Sequence, residues 1–329
     1  MAKSWLMECG CGRHFEMASG RDQIEMGAVA MEGLLSEFRA GNIGPPDVEK
    51  VKLGQYLGEI SRRWDEKFPG LPGKPSANRS FKAIPQPGRR KDYLKRIIVE
   101  LLTDCEGGTI VEPACLWGSH SRNLARRFPH HRFIGTDIQG KADWLYRHIP
   151  WTRTPANYQF RRDDIFNPKV HSGPSAVVFI GACASLTDAA MDYAIGSHCP
   201  LLVCMACCHA MIGGNSDFVK SDFLSRVYLF LVAKKLAKLR QKPDGRYVSP
   251  KYSTEHYPRS EAAKRLTQSK EVMEVARNAV NSDICKSIID LDRYLHLAEA
   301  GYDVWYRADM FVAQTTTKAQ RYEEMQENG

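Results

Sequence analysis

The stretch Thr109 to Ser121, TIVEPACLWGSHS, constrains this chain more than any other. Thr109-Ile110-Val111 is a β-branched run that reads as a buried strand and closes on an acid, Glu112. Small residues, a turn and a helix over 121–128 follow it. Strand, tight turn and helix N-terminus in succession are how an α/β protein holds a nucleotide-like ligand at the carboxyl edge of its sheet. A second strand, His131 to Asp137, also ends on an acid, and a third, Tyr158 to Phe166, carries Asp163 and Asp164. A carboxylate in the place of Asp137 can accept both hydroxyls of a ribose. Asp163 and Asp164 stand where an adenine amino group would be met.

The pattern around these strands predicts a parallel sheet wound on both faces. An amphipathic helix over Tyr93–Leu102 precedes the first strand, and another helix is expected over Lys141–His148. Ala176–Cys183 and Pro200–Cys208 read as buried strands four and five, with a helix from Thr187 to Ile195 between them and Thr187 as its N-cap. A helical insertion is expected over about 216–300: Ser216–Arg240, a mobile polar loop over Gln241–Ser260, then Glu261–Val280 and Ser282–Ala300. Tyr302–Arg307 is a late strand, and a polar tail begins at Thr315. Residues 1–84 read as a smaller helical unit, with helices over Arg21–Phe38 and Val48–Phe68, set off from the domain 85–329 by a Pro- and Gly-rich loop.

Charge is uneven along the chain. Residues 85–265 hold 27 Lys and Arg against 16 Asp and Glu, an excess of 11 in a chain whose net charge is +8. That bias favours a polyanionic partner; a well-solvated surface is the plainer reading. The candidates are Arg89, Arg90, Lys91, Arg126, Arg127, Arg161, Arg162, Lys234, Lys235 and Lys238, although lysines ending a helix also offset its dipole. No apolar run approaches the ~20 residues of a membrane span. The N-terminus lacks a secretory signal's apolar core, and the ten cysteines are irregularly spaced. A reducing compartment follows: cytoplasm, with nucleus or organelle left open, and no secretion.

The turn after the first strand is not a dinucleotide fingerprint, for Ala114, Leu116 and Ser119 occupy the glycine places of GxGxxG. Its spacing fits the acid-x-Gly-x-Gly-x-Gly loop of S-adenosylmethionine enzymes, with Glu112, Ala114, Leu116 and Gly118 in the four places. Leucine at the third of these places asks for an ordinary backbone angle where glycine allows any. Ala114 to Ala125 resembles the Gly-Cys-Gly-Lys-Gly-x-x-Ser-Arg-x-Leu pattern of one branch of class I methyltransferases. That branch includes the Cys-Cys-His tRNA 2′-O-methyltransferases and their methyltransferase-like relatives. Gly181 to Asp188 resembles its His-Ala-Cys-Gly-x-Leu-(Ser/Thr)-Asp, and Ala206-Cys207-Cys208-His209 its Pro-Cys-Cys-His. Ile288–Arg293 with Glu299–Val304 resembles its final helix and hairpin. The resemblance covers roughly residues 90–315; Leu116, Trp117, Ala184 and Ala206 depart from it.

The resemblance implies a Rossmann-like α/β class I methyltransferase sheet and S-adenosylmethionine as cofactor. Glu112, Ala114, Gly118, Asp137, Asp163, Asp164 and Gly181 would contact the cofactor. His209 and Asp188 would orient the acceptor or accept its proton. Packing is the alternative for His209, as for Cys183, Cys207 and Cys208. No metal is expected, because Cys9-x-Cys11-x-x-His14 and Cys207-Cys208-His209 lack the regular paired spacing of zinc ligands. RNA, such as tRNA, is the expected acceptor, with residues 1–84 as a recognition unit. Two alternatives stay open: transfer to a protein or small molecule, and a lapsed fold kept for RNA binding or assembly.

Overall fold

A computed structural model of the chain describes residues 6–8, 14–16, 20–42, 52–68, 87–103, 105, 107–116, 118–138, 154–169, 173–183, 185–208, 256–278, 283–307 and 309–315. The helices expected over 141–148 and 216–240 lie outside them. Leu6–Glu8 (β1) and His14–Glu16 (β2) pair as an antiparallel ribbon. Helices Gly20–Arg39 (α1), Lys52–Lys67 (α2) and Pro87–Thr103 (α3) lead to the sheet. Its strands are Thr109–Glu112 (β3), Arg132–Asp137 (β4), Tyr158–Arg162 (β5), Ala176–Cys183 (β6), Leu201–Cys208 (β7), Tyr302–Arg307 (β8) and Met310–Thr315 (β9). Ser119–Arg127 (α4) follows β3 and Ser185–Gly196 (α5) follows β6. Glu261–Leu266 (α6), Ser269–Asn278 (α7) and Asp283–Glu299 (α8) precede β8.

The strands lie in the order β5-β4-β3-β6-β7-β9-β8. β3 to β7 are parallel to one another, and β9 runs antiparallel between β7 and β8. This is the expected Rossmann-like α/β sheet. Its strands read as continuous apolar runs because alternate residues feed two cores. Val111, Ile134, Val177, Phe179, Leu202 and Phe311 join one cluster with α1, α5 and α8. Ile110, Phe133, Ala176, Val178, Val203 and Val312 join the other with α3 and α4. The connection after β5 leads to β6 on the opposite side of β3, which makes the β3/β6 boundary the switch point where such sheets hold ligands.

Helices α1 and α2 are built into those same cores. Met31, Leu34, Leu35 and Phe38 of α1 are buried with α8, while Trp64 of α2 packs with Phe68 and Tyr93. Trp64 Nε1 donates to the Tyr93 hydroxyl at 3.2 Å, and that hydroxyl donates to the Phe68 carbonyl at 2.9 Å. The compositional boundary at residue 84 therefore runs through shared packing.

Several local expectations need correction. Helix α5 starts two residues early, so Thr187 is a fully buried residue of its first turn and not its cap. The helix expected over 261–280 is two, because Thr267 turns extended (φ −113°, ψ 150°) and bonds its hydroxyl back to the Ala263 carbonyl at 2.8 Å. The end of the supposed mobile loop is anchored, with His256 and Ser260 buried. The residues by themselves announce neither the β1–β2 ribbon nor β9, and β9 completes with β8 the final hairpin that the resemblance implies.

Candidate functional site

The turn after β3 sits at the switch point, and its backbone decides what it can do. Ala114 (φ 49°), Leu116 (φ 51°) and Gly118 (φ 61°) are all left-handed. These are the three places where the glycine pattern has glycine. Leu116 does not demand an ordinary angle, as its side chain had implied; it takes the glycine conformation, at about 1–2 kcal/mol for each side-chain-bearing residue so placed. Such strain persists only where the surroundings over-determine it.

Four hydrogen bonds do so here. Cys115 N donates to the Thr136 carbonyl at 2.8 Å, and Gly118 N to the Cys115 carbonyl at 2.8 Å. Leu116 N donates to Asp137 Oδ2 at 2.9 Å, and Ser121 N to Glu112 Oε2 at 2.9 Å. Tyr158 braces the loop from the sheet side, with its hydroxyl and the Cys115 thiol both crowding Gly118 and Gly135. A Cβ on Gly118 would come within 2.1 Å of the Tyr158 hydroxyl, and one on Gly135 within 2.5 Å of it. Both positions must be glycine for the loop to seat. Tyr158, Cys115 and Gly135 escaped sequence reading, since only the Cβ clearances reveal them.

The acids fall into two kinds. Glu112 is buried, and desolvation, reinforced by Asp137, raises its pKa from 4.5 to about 7. Asp137 shares the loop and accepts from Leu116 N through its Oδ2. Asp163 and Asp164 are loop formers. Asp163 accepts from Asp164 N and from Lys169 N, each at 3.0 Å, and Asp164 accepts from Phe166 N at 3.1 Å. Their carboxylates shape the turn after β5, in which Phe166 is exposed, as Leu116 is in the turn after β3. Gly181 lies where the register of β6 against β7 slips, between Ile180 and Ala182.

Asp188 is committed elsewhere. It is buried in the first turn of α5, with Arg293 Nε donating to its Oδ1 at 2.6 Å. Despite burial, Arg293 and His256 hold its pKa down at about 2. A carboxylate so held is a poor proton acceptor. Arg293 also reaches Asp290 at 3.3 Å, and the Tyr306 hydroxyl donates to Asp290 at 2.6 Å. His256 Nε2 lies 2.8 Å from Asp292 Oδ2, and Ser260 donates its hydroxyl to Asp292 Oδ1 at 2.6 Å while capping α6 through Ala263 N. This network, invisible in the sequence, ties the start of α5 to α8. His209, Cys9 and Cys11 lie outside the described residues, as do the side chains of His14, Cys183, Cys207 and Cys208. No cluster of metal-ligating side chains occurs among the described residues, and no described helix is long and apolar enough to cross a membrane.

No protein-family profile matches the chain, and no curated protein does. Solved structures do match. The antibiotic-resistance methyltransferase Kmr aligns at 16% identity and TM-score 0.27 over 34% of this chain and 59% of its own, so the match spans less than two thirds of that protein. Magnesium protoporphyrin IX methyltransferase from Synechocystis PCC 6803, solved with bound SAH, aligns at 12% identity and TM-score 0.33 over 80% and 97%. An O-methyltransferase family protein from Burkholderia thailandensis aligns at 12% identity and TM-score 0.34 over 80% and 70%. TM-scores this low carry no weight for an activity; the strand order carries the fold.

Proposed function

We propose that the chain is an S-adenosylmethionine-dependent methyltransferase whose acceptor is RNA. The observation that carries the reading is the β3 loop, left-handed at 114, 116 and 118 although two of those residues bear side chains. Strain kept at a switch point is what a ligand cradle requires and a plain connection does not. It also weakens the reading of a lapsed site, since Leu116 takes the glycine conformation despite its side chain.

The residues fit this cofactor. The loop is braced from below, Asp137 ends β4 beside it with a carboxylate of the kind that accepts ribose hydroxyls, and the exposed Leu116 and Phe166 offer apolar surface for a flat ring. When bound, the cofactor supplies a methyl already activated on a sulfonium, so the chain's task is alignment and proton management. Glu112 holds the helix start through Ser121 N. Asp188, fixed by Arg293, positions the start of α5 beside the acceptor side of the edge. Proton acceptance falls to His209, the residue after β7, as a neutral imidazole.

RNA is favoured as acceptor by the basic middle segment, of which Arg126, Arg127 and Arg162 are exposed around α4 and β5. Residues 1–84 then contribute to recognition of that acceptor. The test is transfer of radiolabelled methyl from the cofactor to total RNA and to total protein by the full chain. Label in RNA is the expected result; label in protein, or in neither, overturns the reading.

A further inference from the structure

Four strands from the β3 loop, at the β8 edge, the surface opens into a cavity. A cavity of about 290 Å³ is lined by Gln23 of α1, by Glu59, Arg62, Arg63, Glu66 and Lys67 of α2, and by Trp305 of β8. Its charges are mostly spoken for. Arg62 binds both glutamates, reaching Glu66 at 2.5 Å. Arg63 is held by Asp303 at 2.5 Å and Gln23 at 2.9 Å. Lys67 is the exception. Among the described residues it has no carboxylate partner; its ammonium stands over the Trp305 ring, 5.1 Å from the centroid, and the Arg63 guanidinium stands over the same ring at 5.9 Å. Trp305 is half-buried, seated edge-on against Phe68 with ring centroids 6.3 Å apart.

An aromatic ring covered by an ammonium that no described carboxylate holds complements a ligand that joins a flat ring to an anion: the anion draws Lys67 off the ring and the flat ring takes its place. We propose that this cavity takes a single unpaired nucleotide of the RNA acceptor, its base against Trp305 and its phosphate at Lys67, an inference that rests on the RNA reading above. Near the lower end of small-ligand pockets, about 300 Å³, the cavity admits one nucleotide and excludes a duplex. An acidic peptide would satisfy Lys67 and leave the ring unused. At about 4.8 Å per strand the site lies some 19 Å across the sheet from the β3 loop. At about 3.4 Å per stacked nucleotide, a strand about six nucleotides long bridges that gap. The cavity would therefore set which nucleotide reaches the methyl.

The experiment titrates a fluorescent single-stranded RNA of about ten nucleotides into the full chain, followed by anisotropy without cofactor. A matched strand of abasic sites and a polyglutamate competitor run alongside. Trp305→Leu should weaken intact RNA roughly 5- to 150-fold and leave abasic binding unchanged. Trp305→Phe, which keeps an aromatic face and the contact with Phe68, should stay close to the parent. Lys67→Gln should flatten the slope of log affinity against log salt by about 0.7, one phosphate's worth. Equal affinity of the parent for intact and abasic strands overturns the proposal, as does displacement by polyglutamate as readily as by unlabelled RNA. The first of these comparisons needs no variant, so it decides even if Trp305→Leu fails to fold. Because the assay omits the cofactor, its failure is separable from failure of cofactor binding at the β3 loop.

Discussion

Replacing Glu112 with Gln should stabilise the protein above neutral pH and have little effect in mild acid. The carboxyl ionises near 4.5 ordinarily and near 7 in the folded chain, where burial and Asp137 oppose its charge. Between those values the folded state keeps a proton that the unfolded state has released, so raising the pH weakens the fold. The gap is about 2.5 pH units at about 1.36 kcal/mol each, or roughly 3 kcal/mol lost across the window. Gln cannot ionise, yet it keeps an oxygen for Ser121 N, so the variant escapes the loss. Unfolding entropy of about 2.1 cal/mol/K per residue makes that roughly 4–5 °C in a cooperative melt of a chain this long. The assay is denaturant unfolding of parent and variant at pH 5 and pH 8. The difference between them should grow by about 2–3 kcal/mol from the lower pH to the higher. Any constant effect of the substitution cancels in that comparison. A difference that is the same at both pH values would refute the burial argument.

Two further outcomes follow from the same geometry. Leu116→Gly should stabilise the chain by about 1 kcal/mol, since relief of the left-handed strain outweighs the added freedom of the unfolded glycine; a destabilised variant in urea melts would mean that the leucine side chain holds the loop. Arg293→Met should cost about 3–5 kcal/mol by leaving Asp188 and Asp290 buried without their cation, read as a fall in urea midpoint, and a neutral result would mean that water reaches the network.

The sheet was legible because buried parallel strands announce themselves as apolar runs. Val177 to Phe179 and Leu202 to Cys204 could hardly be anything else. β9 came only with the hairpin that the resemblance implies, because its turn is unmarked in the residues: Asp309 adopts φ 70° without the Asn-Gly or Asp-Gly pair that signals a tight hairpin. The two-helix break at Thr267 escaped for a similar reason, as a threonine carries no fixed stop signal. At the candidate site the sequence supplied the acids but not their duties. Whether a strand-end carboxylate meets a ligand or a loop amide depends on which N–H groups the turn brings near it, as Asp163 and Asp164 show. The loss of glycine at Leu116 misled in the opposite direction, because tertiary bonds from Asp137 and Thr136 impose the conformation that the residue alone would avoid. The Asp188–Arg293 pair joins residues more than a hundred positions apart, and no local pattern announces it.

The most direct test of the cofactor site is calorimetric titration of S-adenosylmethionine into the full chain and into Asp137→Asn. The substitution keeps an oxygen for Leu116 N, so the loop stays seated, but it gives up a charged acceptor for the ribose hydroxyls. A hydrogen bond to a charged group is worth about 1.5–3 kcal/mol. The parent should bind one equivalent, and the variant should bind roughly 10- to 150-fold more weakly. No binding by the parent, or equal affinity in the two proteins, would contradict the placement of the cofactor at the β3 loop.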